Sequence, residues 1–427
     1  MRKNHFAKKI LAMGLMMVMG VSLLTGCDAK EVKDFASYAK SAEDITLPEE
    51  VRIVAFGEAS HGNKEFQELK LDVFSHLVET TTVRAFALEG DFGCCAIAND
   101  YILHDEGTAE NAVKNLGFEI YRTDEMLKLV QWMHDYNLTA DENDKVRFYG
   151  IDMQRGEASL DRVKEFYDIV EKNKGTEYMT KWDELYGKGE STLSSETVED
   201  LKELVNVIID DLELHREPYA KTTGEELYAY ALQAAKCLHQ NLDLYGVSSD
   251  YKSYADLRDQ YMTENVKWIL EREENIYGTK LMLAGHNGHV AKVVNSAYTN
   301  MGSLLSQEMQ EEYFVIGTDF YKTNCNIATK DTRKNYKFRS DDPLAKAVGD
   351  MEENAYYLDF ADAKESKQLS ALLDSNMKTG SLGESYSPLM KILKHTYQIS
   401  IPPSQLYDGM IFVYEATPIE VWDYQEK

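Results

Sequence analysis

The stretch VRIVAFGEASHGNKEF, Val51–Phe66, decides the fold. Val51, Ile53, Val54, Ala55 and Phe56 form a short apolar run broken only by Arg52. That lack of polar alternation is the pattern of a strand buried on both faces, hence of a parallel sheet covered by helices. Gly57 follows and permits a sharp exit, and then come Glu58, Ser60, His61 and Gly62. In open α/β sheets, ligands bind outside the carboxyl ends of the strands. An acid and an imidazole three residues apart at such an end are therefore candidate functional groups. The same residues have a purely structural use: Glu58 capping a helix start and His61 solvated in a loop.

Working outward, the same kind of ending recurs. Apolar runs fall at Val51–Phe56, Ala85–Leu88, Val146–Ile151, Lys280–Ala284, Tyr313–Ile316, Ala355–Leu358 and Met410–Tyr414. After the second come Glu89 and Asp91, after the third Asp152, after the fourth His286 and His289, and after the fifth Asp319. Five strands closing on an acid or an imidazole at one end of a sheet predict a single polar pocket. Between residues 155 and 276 the pattern changes to amphipathic helices, over Leu160–Lys172, Ser195–Arg216, Glu225–Leu244 and Tyr251–Glu274. The expected fold is α/β: a mostly parallel sheet flanked by helices, with this helical insertion capping the active-site end.

The chain has 427 residues and is 44% hydrophobic, enough for one large domain, expected over residues 51–427. Arg2, Lys3, Lys8 and Lys9 precede an apolar run, Ile10–Leu24, that closes in Thr25-Gly26-Cys27. Basic residues, a short apolar run and small residues read as a secretory signal over 1–26. Its ending resembles a bacterial lipobox, which implies lipidation of Cys27, residues 27–50 as a polar tether, and an extracytoplasmic protein held on the cell membrane. An uncleaved anchor is the alternative. Cys94, Cys95, Cys237 and Cys325 lack zinc-finger spacing and read as buried small hydrophobes. With 73 acids against 46 bases the net charge is −27, which repels nucleic acid.

The spacing in GHNGHV puts His286 and His289 three apart, so on a helical turn both imidazoles face one way. Together these groups suggest hydrolysis. His61 would take a proton from water, because imidazole titrates near working pH. Glu58 or Glu89 would orient it, and His286 and His289 would stabilise negative charge on the substrate oxygen. No Gly-x-Ser-x-Gly elbow is present, so no serine nucleophile is expected. No cofactor or metal is expected either, although His61, His286 and His289 with Glu58 and Glu89 leave a metal-dependent hydrolase open. A lipoprotein that captures a small molecule or glycan without turnover also stays open. Arg258, Met262 and Asn265, at i, i+4 and i+7, share one helix face, from which Arg258 would reach substrate or Glu89.

Taken in order, GEASHG at Gly57–Gly62, LEGD at Leu88–Asp91, YGIDMQ at Tyr149–Gln154, LRDQYMTENVKWI at Leu257–Ile269 and AGHNGHV at Ala284–Val290 resemble the erythromycin esterases. YFVIGTDF at Tyr313–Phe320 and YDGMIFVYEATP at Tyr407–Pro418 continue the match. The resemblance implies ester or lactone hydrolysis by activated water on a small-molecule, macrolide-type substrate. It implies His61 as base, Glu58 and Glu89 as supporting acids, and His286 and His289 as paired imidazoles. Lys70, Asp152 and Arg258 are expected to hold substrate. Lys70 stands where antibiotic-inactivating members usually carry arginine; it keeps the charge but not the bidentate fork.

Overall fold

In the computed structural model, which describes residues 31–187, 193–294, 297–330 and 332–422, the run ending at Glu58 is an inner strand. The strands are β1 (Ile53–Glu58), β2 (Val83–Asp91), β3 (Arg147–Asp152), β4 (Lys280–His286) and β5 (Tyr313–Ala328). They are followed by β6 (Arg333–Arg339), β7 (Ala355–Asp359), β8 (Met377–Gly380), β9 (Gln398–Ile401) and β10 (Gly409–Ala416). The main sheet runs in the order β3-β2-β4-β1-β5-β10-β7. Its pairs from β3 to β10 are parallel; β7 lies antiparallel at the edge, and β6 pairs antiparallel with the far half of β5.

Successive residues of each inner strand belong to opposite cores, as a two-sided buried strand requires. Val54, Phe56, Phe86, Leu88, Met282, Ala284, Phe314 and Ile316 pack on one side. There they meet Phe66, Val73, Phe74 and Leu77 of helix α1 (Lys64–Thr80) and Met126, Leu129 and Met133 of helix Asp124–Asn137. On the other side Ile53, Ala55, Ala85, Ala87, Leu281 and Leu283 face the insertion. Helix α2 (Phe92–His104) lies against β3.

The insertion consists of helices Glu157–Val170, Lys172–Tyr186, Ser195–Leu214, Arg216–Thr223, Glu225–Val247 and α3 (Tyr251–Arg272). It reaches the carboxyl end of the sheet, where Asn241 donates to the Met153 carbonyl and Tyr254 to Gln154, and it extends beyond that end. It covers a sheet face, and α3 runs antiparallel to β3 with Met262, Val266 and Ile269 in the core. Buried ion pairs fix both its ends. Arg258 at its start binds Asp152 at the end of β3, while Arg147 at the start of β3 binds Glu273 just past the helix, at 2.8 and 2.7 Å. Between them the Asn265 amide donates to the Ile151 carbonyl at 2.9 Å. The ladder sets the helix in one register, so the N-terminal third of α3 arrives at the carboxyl end of the sheet.

The opposite wall of that end was not legible. β5 does not stop near Ile316 but continues to Ala328 and pairs with β6 as an antiparallel arm beyond the sheet. The arm folds back onto the first loop: the Asn326 N–H donates to the Gly62 carbonyl at 3.0 Å, and Leu382 donates to the Ala59 carbonyl at 2.7 Å. A Cβ at Gly62 would sit 2.1 Å from the Asn326 oxygen, so only glycine permits the approach. The hairpin β8–β9 completes this side.

Residues 31–50 are not a tether. Phe35 is buried edge to face against Phe412, Ile45 is buried, and Lys40 exchanges two 2.8 Å backbone hydrogen bonds with Tyr357. The expected signal segment and Cys27 lie outside the described residues. Among the described residues no helix is long and apolar enough to cross a membrane.

Candidate active site

The register of β1 and β4 builds the site. Gly57 lies beside Gly285 and Glu58 beside His286. β4 then turns into the short helix α4 (Asn287–Val290), and the Asn287 amide donates to the Thr318 carbonyl at 2.8 Å, pinning the turn to β5. A Cβ on Gly57 would lie 2.3 Å from the Asn287 side-chain oxygen, so the close seat of this turn on β1 needs the glycine. β2 delivers Glu89 and β3 delivers Asp152 to the same end.

Two ionic chains result. In the first, the Lys70 ammonium contacts Glu58 Oε2, and Glu58 Oε1 lies 2.6 Å from His61 Nδ1. Burial opposes charge on Glu58, but the Lys70 ammonium and the His61 contact outweigh it and hold its pKa below the usual carboxylate range. An ionised Glu58 can only accept, so His61 carries its proton on Nδ1 and leaves Nε2 open to the cleft. Burial also opposes charge on His61; the hydrogen bond to Glu58 and the charges of Glu58, Glu89 and Glu384 outweigh it and raise its pKa.

In the second chain, Arg258 donates to Glu89 Oε1 at 2.9 Å and to Asp152 Oδ2 at 2.6 Å, and its Nη1 lies 3.1 Å from His289 Nε2. His289 Nδ1 is 2.8 Å from Asp259 Oδ1. Burial disfavours charge on His289, and the carboxylates of Asp259 and Glu89 overcome it, so its pKa is raised. Glu89 is pulled well below the carboxylate range despite burial, by His289, His61 and Arg258 and by the His286 N–H that donates to its Oε2 at 2.8 Å.

His286 stands between the chains. Its ring centroid is 5.1 Å from that of His61. The Gly288 N–H donates to its Nδ1 at 3.1 Å, so Nδ1 is the acceptor and Nε2 carries the hydrogen. That Nε2 is buried and has no protein partner. Burial and the repulsion of His61 lower the pKa of His286 to about 3, so the ring is neutral at physiological pH.

The residues singled out from the sequence thus converge, but their contacts divide them. Lys70 is 0% exposed, with its charge spent on Glu58, and cannot touch substrate. Asp152, also 0% exposed, binds Arg258 and the Met153 N–H instead of substrate. Of the two uses expected for Arg258, Glu89 is the group it reaches. His289 is held by Asp259 and Arg258, so of the paired imidazoles only His286 presents an unpartnered nitrogen. Asp319 is not part of the pocket: it accepts from the Phe320 and Gly380 N–H groups and sits against Asp342. Asp91 caps α2 through the Cys94 N–H, and burial pushes its pKa up to about 7. Ser60 is buried and donates to Asn63 at 2.6 Å. Asp259 is the functional-site residue missed. It shares the buried stripe Ala255-Asp259-Met262-Val266 of α3, and an acid on an apolar stripe was the available signal. Among the described residues no group of three or more histidine, cysteine or acidic side chains is arranged to hold a metal ion.

The erythromycin esterase family profile matches residues 78–416. Erythromycin esterase type II of Escherichia coli is 24% identical over 317 residues, 68% of this chain and 74% of the relative. A putative hydrolase, YbfO, of Bacillus subtilis (strain 168) is 21% identical over 412 residues, 86% of this chain and 84% of the relative. Among solved structures, a Bacillus cereus protein superposes with a TM-score of 0.75 at 21% identity, covering 91% of this chain and 98% of that one. A mutant of the erythromycin esterase EreC in its open conformation superposes with a TM-score of 0.63 at 16% identity, covering 88% and 93%.

Proposed function

This chain belongs to the erythromycin esterase family, and from that premise we propose that it hydrolyses an ester or lactone of a small molecule with water activated by His61. The observation that carries the reading is the pairing of a base with a donor. His61 offers a lone pair on Nε2, and 5.1 Å away, between ring centres, neutral His286 offers an unpartnered N–H. Water in the cleft gives its proton to His61 Nε2 as its oxygen bonds to the ester carbon. The carbonyl oxygen gains the negative charge and accepts a hydrogen bond from the His286 Nε2–H, which keeps its proton. The intermediate collapses, the C–O bond to the alcohol breaks, and the alkoxide takes the proton back from His61.

The Lys70–Glu58 pair fixes the His61 tautomer throughout. Glu89, held by Arg258, ties down the His286 backbone and stabilises His61 when it carries the proton. A positioned general base contributes roughly 10²–10⁴-fold and one oxyanion donor roughly 10²–10³-fold. The test is a hydrolysis screen over simple esters, lactones and erythromycin with wild type, His61→Ala and His286→Ala. His61→Ala should lower kcat by at least about two orders of magnitude with unchanged thermal unfolding. Near-wild-type turnover in His61→Ala would remove it as the base. Erythromycin is included because the Escherichia coli relative is named for it; hydrolysis of simple esters without erythromycin would leave the chemistry and discard the macrolide.

A further inference from the structure

The hydrolytic reading leaves the aromatic residues beyond His289 without a role. The N-terminal turns of α3, which deliver Arg258 and Asp259, begin with Tyr251 and Tyr254. The segment leading into helix Met301–Met309 carries Tyr298. The rings of Tyr251 and Tyr298 meet edge to face, 6.3 Å apart and at 87°. Tyr298 in turn lies 6.3 Å from the ring of His289. An aromatic step therefore leads outward from the ionic network, and Tyr251 at its outer end is 48% exposed.

The step is held in place by the same helix. The Thr299 N–H donates to Asp256 Oδ1 at 2.7 Å, and the Met301 N–H donates to Asp259 Oδ1 at 2.8 Å. These bonds tie the chain just after Tyr298 to α3. The Tyr254 hydroxyl donates to Gln154 Oε1 at 3.0 Å and anchors the helix turn to the segment after β3. A single exposed tyrosine needs no explanation. Two rings at right angles, braced by the residues that hold His289, form a corner whose walls are set before anything binds, so little ordering entropy remains to oppose binding.

We propose that Tyr251 and Tyr298 form a subsite for a flat apolar face on the substrate, an aromatic ring or the apolar face of a pyranose, next to the scissile ester. The inference rests on the hydrolytic reading above. Aromatic corners favour such a face because offset and edge-on contacts match the ring quadrupole and bury area together. The subsite acts on which ester is taken, not on the carbonyl chemistry, so its effect belongs in KM.

The experiment compares benzyl acetate, a methyl 6-O-acetylglucoside and n-butyl acetate on wild type, Tyr251→Ala, Tyr251→Phe and Tyr298→Leu. The same esters are titrated calorimetrically into His61→Ala and His61→Ala/Tyr251→Ala. Tyr251→Ala should raise KM for a ring-bearing ester relative to butyl acetate by about 3- to 10-fold, with most of the change in KM, and Tyr251→Phe should restore it. A change on benzyl acetate alone identifies an aromatic group, on the glucoside alone a sugar face, and on both the shared chemistry. An unchanged ratio for both, or equal loss on butyl acetate, overturns the subsite. If wild type turns over none of the esters, weaker binding of a ring-bearing ester after Tyr251→Ala still supports the subsite and assigns the failure to the hydrolytic reading; equal binding overturns the subsite.

Discussion

Replacing Lys70 by methionine separates a positioning role from a substrate-binding one. The lysine is 0% exposed, its Nζ contacts Glu58 Oε2, and its stem runs along the buried stripe of α1. Methionine fills a similar volume without the charge. Glu58, also 0% exposed, is then left without its counter-charge, and breaking a buried pair from one side costs about 3–5 kcal/mol. Glu58 can reduce that cost by taking up a proton, but a protonated Glu58 no longer holds the Nδ1 hydrogen of His61 as a carboxylate does. His61 loses its fixed tautomer, and kcat falls by about 10²-fold, the low end of what a positioned base contributes. KM changes little, because no atom of Lys70 reaches the cleft.

The double variant Lys70→Met/Glu58→Gln removes both charges. Its stability should return to within about 1–2 kcal/mol of wild type, since a neutral replacement of a buried ion pair is often neutral overall, while its activity stays low. Urea unfolding and steady-state kinetics on one ester measure the cycle. A Lys70→Met protein with normal stability, normal kcat and raised KM would return Lys70 to the substrate. Additive losses in the double variant would mean that Lys70 stabilises through something other than Glu58.

The raised pKa of His61 sets the pH profile: a base must be deprotonated, so kcat/KM should rise with pH through a limb above the imidazole reference of about 6.5. Glu58→Gln removes the largest stabiliser of the protonated ring, so it should move that limb to lower pH and lower the plateau; a limb that stays in place would detach Glu58 from His61. At Asp319 and Asp342, burial raises both carboxyl pKa values, Asp342 to about 6 and Asp319 well above the carboxylate range, Asp342 adding to the latter shift. The folded state then keeps protons that the unfolded state has lost by about pH 4, so stability falls as pH rises through the folded values, by about 1.4 kcal/mol per pH unit per proton. Asp319→Asn should therefore unfold at a higher temperature than wild type at pH 8, with a smaller gap at pH 5; an equal gap at both would refute the linkage. For the segment outside the described residues, Cys27→Ala should release the protein from membranes or leave an uncleaved precursor, and mass analysis finding an unmodified residue 27 in membrane-bound wild type would end the lipoprotein reading.

The sheet was legible because its strands are buried on both faces. Such strands are written as unbroken apolar runs, and the endings Glu58, Glu89, Asp152 and His286 mark their carboxyl ends. The arm was not legible for the opposite reason. From Tyr321 to Ala328 the exposure of β5 alternates between buried and half-buried, and its sequence YKTNCNIA offers Tyr321, Cys325 and Ile327, interrupted by the polar Thr323, as a faint period of two. It is ordered by contact with the Gly62 loop, a long-range pairing that no local pattern encodes. The short hairpin β8–β9 is held in the same way.

Within the site, sequence spacing located the residues but could not assign their work, because work depends on which lone pairs remain. Yet part of that was also written locally. Lys70 follows Phe66 by four residues and precedes Val73, Phe74 and Leu77, so it lies on the apolar stripe of α1. Asp259 lies on the corresponding stripe of α3, between Ala255 and Met262. A charge on such a stripe is buried, and a buried charge needs a partner. Lys70 therefore demands an acid at a neighbouring strand end, and Asp259 demands a donor across the helix–sheet boundary. The available groups are Glu58 and His289. Followed this way, the helix pattern alone would have moved Lys70 out of the substrate set and placed His289 in a held pair, leaving His286 as the imidazole free to act.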